Sequence, residues 1–353
     1  MNKFYIFILA FISAFNTFAL QTGNDSILGR PFKDFSKTAF CSYTTFHPSQ
    51  YIADNNWDIL CSFRTPGTKS RLDSLNIPYN ESQLRLLMAG DLLTSADGVY
   101  TTKMPILDKR QTTEIRTVSK NFADSVYPAI EPKIKELIST FKMKGYTAQT
   151  YSLIFSYLLD GYIWNEGKLP VPNNIGNHGT WSGVYWAMYD KRTNDSDGTN
   201  GYGPLKVNWT DDLGYWPSHK TLSDFGRCIM NNELPISDDE LKTNLIKWNL
   251  VDSKGNPTIP VLKSGNGDEI DTLCNEITSQ LSDAVKKYAP TIASAYKISS
   301  HDEASVIFYH EVMWDLLSLL TSNHLIEKPA ILKGEEVGAS HFADISFITI
   351  SDQ

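Results

Sequence analysis

Apolar residues recur at steps of three and four over one long stretch of the chain. Ile115, Val118, Phe122, Val126, Ile130, Leu137 and Phe141 fall on one stripe. That spacing predicts a helix that buries a single face. The rhythm returns at Ile270, Leu273, Ile277, Leu281, Val285, Ile292 and Tyr296, each 155 positions after its counterpart. Pro128 and Pro132 interrupt the first stripe. A proline removes an amide donor and crowds the preceding turn, so the first helix is expected to be kinked or split.

The segments flanking the stripes also repeat. IPYNESQL at 77–84 and LPISDDEL at 234–241 are each a proline-led turn with polar caps before a helix. Next comes GDLLTSADGVYTTKMPIL at 90–107, where Asp97-Gly98 between short apolar runs predicts a tight hairpin. Its counterpart runs from Leu250-Val251 through Lys254-Gly255-Asn256 to Ile259-Pro260-Val261-Leu262. After each stripe a further helix is expected, YSLIFSYLLDGYIW and then EASVIFYHEVMWDLLSLL, each leading to a short strand beside proline, KLPVP and KPAIL. Shared order, more than shared rhythm, argues for a tandem duplication.

The expected fold is therefore mainly α with small β-hairpins (α+β), in two halves related by internal duplication. Residues 20–172 form the first half, 173–219 a connector rich in aromatics, Gly and Asn, and 220–353 the second half. Over 77–142 and 234–297 the order of helix, then hairpin, resembles a winged helix in general form. That resemblance implies a helix backed by a β-wing, a unit that in many proteins reads DNA.

The amino terminus and the charge distribution change that picture. MNKFYIFILAFISAFNTFA carries only Lys3 before its apolar run and small residues at 17 and 19. This is the layout of a secretory signal over 1–19, with cleavage after Ala19 and an exported, periplasmic or secreted product. An uncleaved anchor helix is the other reading, and no later stretch is apolar enough to span a bilayer. Residues 20–189 hold 17 Lys and Arg against 15 Asp and Glu, whereas residues 190–353 hold 14 against 25. An acidic half repels phosphate backbones, which disfavours nucleic acid as a partner there. Residues 101–150 are the one basic stretch that a third reading, nucleic-acid binding through the first half, could use. Cys41, Cys61, Cys228 and Cys274 could form disulfides after export, the shortest loops joining 41 to 61 and 228 to 274. No C-x-x-C pair suggests zinc.

Candidate chemistry concentrates in the connector. Trp181, Tyr185, Trp186, Trp209 and Trp216 stand there among Gly and Asn. Rings with apolar faces and polar edges suit a surface that stacks sugars or grips a peptide, and equally a seam packed with rings. NDSDGTNG at 194–201 alternates acids before Gly198 as a calcium loop does, but Thr193 and Pro204 occupy its first and twelfth positions. His310-Glu311 starts a zinc-protease motif that Trp314 fails to complete. G-x-S-x-G, G-x-G-x-x-G and Walker loops are missing, so no cofactor is expected. These features favour an exported, non-catalytic binding or scaffolding protein with a protein or glycan partner. The alternative is a secreted hydrolase using His178 or His219, with its site between the halves.

Overall fold

The computed structural model describes residues 27–41, 47–170, 176–192, 198–210, 213, 216–298 and 300–351. The expected signal at 1–19 and the calcium-like residues 193–197 lie outside them. The fold is mixed α+β, 54% helical with small sheets, so helix is the majority element.

Strand β1 (Phe35–Cys41) precedes three short helices, α1 (Asn56–Ser62), α2 (Ser70–Ser74) and α3 (Glu81–Ala89). Asn80 caps α3 by accepting from the Gln83 amide, while the Gln83 side chain accepts from the Asn80 amide. The predicted hairpin follows as β2 (Leu93–Ala96) and β3 (Val99–Thr102), paired from Leu93 with Thr102 to Ala96 with Val99. Its two turn residues, Asp97 and Gly98, have φ of 51° and 76°. Positive φ at both positions is what a two-residue hairpin turn demands, and Gly supplies the second without steric cost. Gly67 adds a single bridge to Tyr100 on the far side of β3.

Helix α4 (Lys109–Met143) is one unbroken element, so the expected split at Pro128 and Pro132 does not occur. Both prolines sit on the exposed face, where water can satisfy the carbonyls whose amide partners they remove. Every residue of the first sequence stripe is buried. Beyond α4, a single α-turn leads into a π-helix over Leu153–Tyr162, nearly all of it buried.

The connector is no loose loop. It contains β4 (Gly176–Asn177), β5 (Ser182–Asp190), β6 (Gly198–Tyr202) and β7 (Leu205–Trp209). Helices α5 (His219–Met230) and α6 (Asp239–Lys247) come next, the latter capped by Asp238, which accepts from the Leu241 amide. After α6 the expected second hairpin is reduced to one bridge between Val251 and Pro257. Pro257 and Pro260 lack the amides needed to lengthen such a ladder. Strand β8 (Val261–Ser264) instead runs parallel to β9 (Ser346–Ser351). Between these lie α7 (Glu269–Tyr296) and α8 (His301–Ser322). The strand expected near KPAIL is a 3-10 turn, Ala330–Lys333. That expected at KLPVP is not formed over 166–170, and its remainder lies outside the described residues.

The chain gathers into two compact units that do not follow chain order. One holds the described residues among those up to 118, 170–193 and 285–311; the other holds the described residues among 119–169, 194–284 and 312–353. In the first unit β5 pairs antiparallel with β1 and with β4, giving the order β1-β5-β4. Its core includes Trp57, Phe63, Leu84, Leu87, Trp181 and Met188. The second unit contains the sheet β6-β7-β9-β8. No helix among the described residues is long and apolar enough to cross a membrane.

Candidate functional site

The sequence-predicted aromatics separate into two settings. Trp181 belongs to the first unit and is 2% exposed, so it is a core residue and not the ligand-facing one expected. Its indole Nε1 donates to the Gly90 carbonyl at 2.7 Å, and its ring stacks on His178 at 3.8 Å and 11°. His178 is held at both ring nitrogens: Nδ1 lies 2.6 Å from Asp91 Oδ2, and Nε2 donates to the Gly183 carbonyl at 2.8 Å. Lys103 Nζ binds the other Asp91 oxygen at 2.6 Å, and Tyr51 and Thr180 share a hydroxyl contact beside them. Burial raises the Asp91 carboxyl, but the hydrogen bonds from Lys103 and His178 outweigh it and leave it below the usual range. Residues 178–181 thus clamp the end of α3 and the start of the hairpin. Tyr185 and Trp186 lie in β5, and their side chains are outside the described residues.

Trp209 and Trp216 belong to the second unit and line an open cleft of about 460 Å³. Its other walls include Asn200, Thr210, Ser218 and His219. The local sequence sets this up. In the β6–β7 ribbon Gly198 opposes Trp209, and Asn200 opposes Val207, so Trp209 and Asn200 share a face. A Cβ at Gly198 would lie 2.7 Å from the Trp209 ring, so only glycine lets the indole rest on the β6 backbone. Trp216 meets Phe342 edge to face, with centroids 5.1 Å apart at 85°. Both indoles are therefore backed by packing, which limits their freedom before any ligand arrives.

Polar groups of this cleft remain available. His219, the first residue of α5, bonds through Nδ1 to the Tyr202 hydroxyl at 2.7 Å. Its Nε2 and the Asn200 amide have no partner among the described residues. Trp216 Nε1 is buried with no hydrogen-bond partner among the described residues. An unpaired buried donor costs about 1–3 kcal/mol.

On the opposite face of the ribbon lies a partly buried polar chain that sequence reasoning missed. Thr199 and Asn208 are cross-strand partners facing the π-helix. Asn208 Nδ2 donates to Ser156 Oγ at 2.5 Å, Ser156 and Thr199 hydroxyls meet at 2.6 Å, and Thr199 Oγ1 donates to Asp160 Oδ2 at 3.3 Å. Burial raises the Asp160 carboxyl to about 7, against the opposing hydrogen bonds from Thr199 and Trp164. The signal available in sequence was a lone acid within an apolar run, YSLIFSYLLDGYIW.

The remaining candidates are structural. No disulfide forms: Cys41, Cys61, Cys228 and Cys274 are all thiols, so neither expected pairing is made. Cys61 and Cys274 are fully buried, and burial raises the Cys274 thiol well above its ordinary value. His310 Nδ1 donates to the Val306 carbonyl at 2.8 Å, and burial lowers its basicity. The adjacent Glu311, 1% exposed, accepts from Arg116 Nε at 3.1 Å and from Arg192. Among the described residues no group of His, Cys, Asp and Glu is placed to share a metal ion. Comparison with protein-family models, curated proteins and solved structures returns no match.

Proposed function

We propose that this chain is an exported, non-catalytic binding protein and that the cleft lined by Asn200, Trp209, Trp216 and His219 is its ligand seat. The observation that carries this is the pairing, in one open cleft, of two backed indoles with the side chains of Asn200 and His219, whose amide and Nε2 have no partner among the described residues. Small-molecule sites combine an apolar lining with a few placed polar groups, in clefts of about 300–1,000 Å³. Export rests on the layout of residues 1–19.

Two related winged-helix-like units are the scaffold of this proposal. Support for duplication comes from backbone detail beyond the sequence rhythm. The Leu92 amide donates to the Leu87 carbonyl, and the Leu250 amide donates to the Leu245 carbonyl, each at 3.0 Å. Asp91 and Asn249, just before those amides, have φ of 54° and 55°. All seven residue pairs of the long stripes are buried in both members. The acidic character of residues 190–353 argues against using the second of these units on DNA.

A hydrolase finds less support. His178 has a carboxylate partner, but both its nitrogens are already engaged in the clamp. His219 lines the cleft, but its partner is a tyrosine hydroxyl. Neither histidine combines an open site with an orienting carboxylate.

The test is a photo-crosslinking amino acid placed at Asn200 or Leu213 in the producing cell, with Met143, 73% exposed, as control. Discrete adducts at the two cleft positions and none at the control are expected. Equal labelling at all three, or adducts only at the control, would overturn the assignment.

A further inference from the structure

We infer that the free edge of β8 is a second binding site, taking an extended peptide with an apolar residue and an acid two positions apart. It lies within the second unit and shares no lining residue with the cleft of Trp209 and Trp216. The first argument is the backbone. β8 ends the sheet β6-β7-β9-β8, so β9 covers one of its edges and no strand covers the other among the described residues. The Ile348 amide donates to the Pro260 carbonyl at 2.8 Å, and Val261 is paired with Ile348. In a parallel ladder alternate residues turn both backbone groups toward the neighbour. Pro260, Leu262 and Ser264 therefore face β9, while Val261 and Lys263 hold their amides and carbonyls outward. Those four groups have no partner among the described residues, and a row of this kind accepts an added strand.

The second argument is the space beside that edge. A cleft of about 150 Å³ touches Val261, Leu262 and Lys263, with Lys144 and Tyr146 among its other walls. Successive strand residues point to opposite faces, so a cleft that meets all three lies along the edge and not on one face. Val261 and Lys263 are exposed on one face, and Leu262 and Ser264 are buried on the other. At 39% exposure Val261 leaves apolar surface for a cross-strand neighbour. Met143 precedes Lys144 in the chain but lines neither cleft.

Charge selects the occupant. Lys144 and Lys263 make no ion pair among the described residues. Asp268, on the same walls, is already engaged: Oδ1 accepts from the Asp271 amide at 2.9 Å and Oδ2 from Asn266 Nδ2 at 3.3 Å. The unanswered charge at this edge is positive, and an acid opposite Lys263 answers it. With an apolar residue opposite Val261, that acid falls two positions away on the same face. A second copy of the chain is the competing occupant. Pairing β8 with itself would double the lysines on one edge, and like charges held that close repel.

The experiment titrates the full chain with end-capped pentapeptides by calorimetry and follows the amides of residues 261–264 by NMR hydrogen exchange. Thr-Val-Thr-Glu-Thr and its reverse cover both strand directions. Thr-Val-Thr-Lys-Thr and its reverse change the charge, and Thr-Val-Glu-Thr-Thr puts Val and Glu on opposite faces. At least one of the first pair should bind saturably and slow exchange at Val261 and Lys263, with little change at Leu262 and Ser264, which β9 already protects. The lysine probes and the opposite-face probe should bind roughly fivefold more weakly. Lys263→Glu should reverse the charge preference. Val261→Pro removes an amide that β9 does not use, so it should abolish binding while the melting midpoint is kept. Binding of no probe, equal binding of acidic and basic probes, or a charge preference that Lys263→Glu leaves in place would each overturn the inference. So would binding indifferent to Val261→Pro, or dimerisation of the chain that Val261→Pro abolishes. None of these results bears on the cleft of Trp209 and Trp216, which the crosslinks test separately.

Discussion

Trp181→Ala is expected to destabilise the first unit by about 3–5 kcal/mol, the range for emptying a buried tryptophan site. The side chain is 2% exposed, its indole donates to the Gly90 carbonyl, and its ring covers His178. Removing it opens a cavity, strands a backbone carbonyl and unstacks the imidazole that holds Asp91. A fall in melting midpoint on the order of 10 °C follows for a unit of this size. Trp181→Phe separates the contributions: it keeps a stacked ring and loses only the hydrogen bond, so it should cost about 1–2 kcal/mol. Differential scanning calorimetry of the three proteins checks this. A Trp181→Ala protein as stable as the parent would mean that residues 178–181 are not a clamp.

The second large effect is a pH dependence centred on Asp160. Its carboxyl is raised from the ordinary 3.8 to about 7 by burial. Between those two values the folded chain holds a proton that the unfolded chain has released. Stability therefore falls as pH rises through that window and levels off above about 7. Asp160→Asn removes the ionisation while retaining a group able to bond Thr199. It should match the parent near pH 4 and exceed it at pH 8 by about 2–4 kcal/mol in order of magnitude. Glu303, also raised by burial to about 7, contributes with the same sign, so the variant profile should be flatter but not level. Denaturant titrations at pH 4, 6 and 8 decide the matter. Identical slopes in parent and variant would show that Asp160 does not carry the dependence.

Local information predicted local structure well. The Asn80 cap, the Asp97-Gly98 turn and both seven-residue stripes follow from near-neighbour chemistry, and each is present. Failures came where partners are distant in sequence. β5 meets β1 about 150 residues upstream, from Phe35 with Asp190 to Cys41 with Gly183, and no pattern within residues 182–190 names that partner. The parallel pairing of Val261 with Ile348 spans 87 positions, and it stands where the second hairpin was expected. Pro128 and Pro132 misled for a different reason: their cost depends on which face they occupy, and both fell on the wet one. In the candidate site, Trp209 and Trp216 were legible from composition. Asn200 was not, because its role depends on the register that sets it on the face of Trp209. The Ser156–Thr199–Asp160 chain joins a π-helix to a hairpin and could be seen only in three dimensions.

The central claim is that the aromatic connector divides into a buried clamp and an open cleft. Hydroxyl-radical footprinting of the folded full chain, with oxidised tryptophans located by peptide mass spectrometry, tests it most directly. Trp209 and Trp216 should be oxidised at the earliest exposures, while Trp181 stays unmodified until the chain is unfolded. Oxidation of Trp181 in the folded chain as fast as that of Trp209 would contradict it.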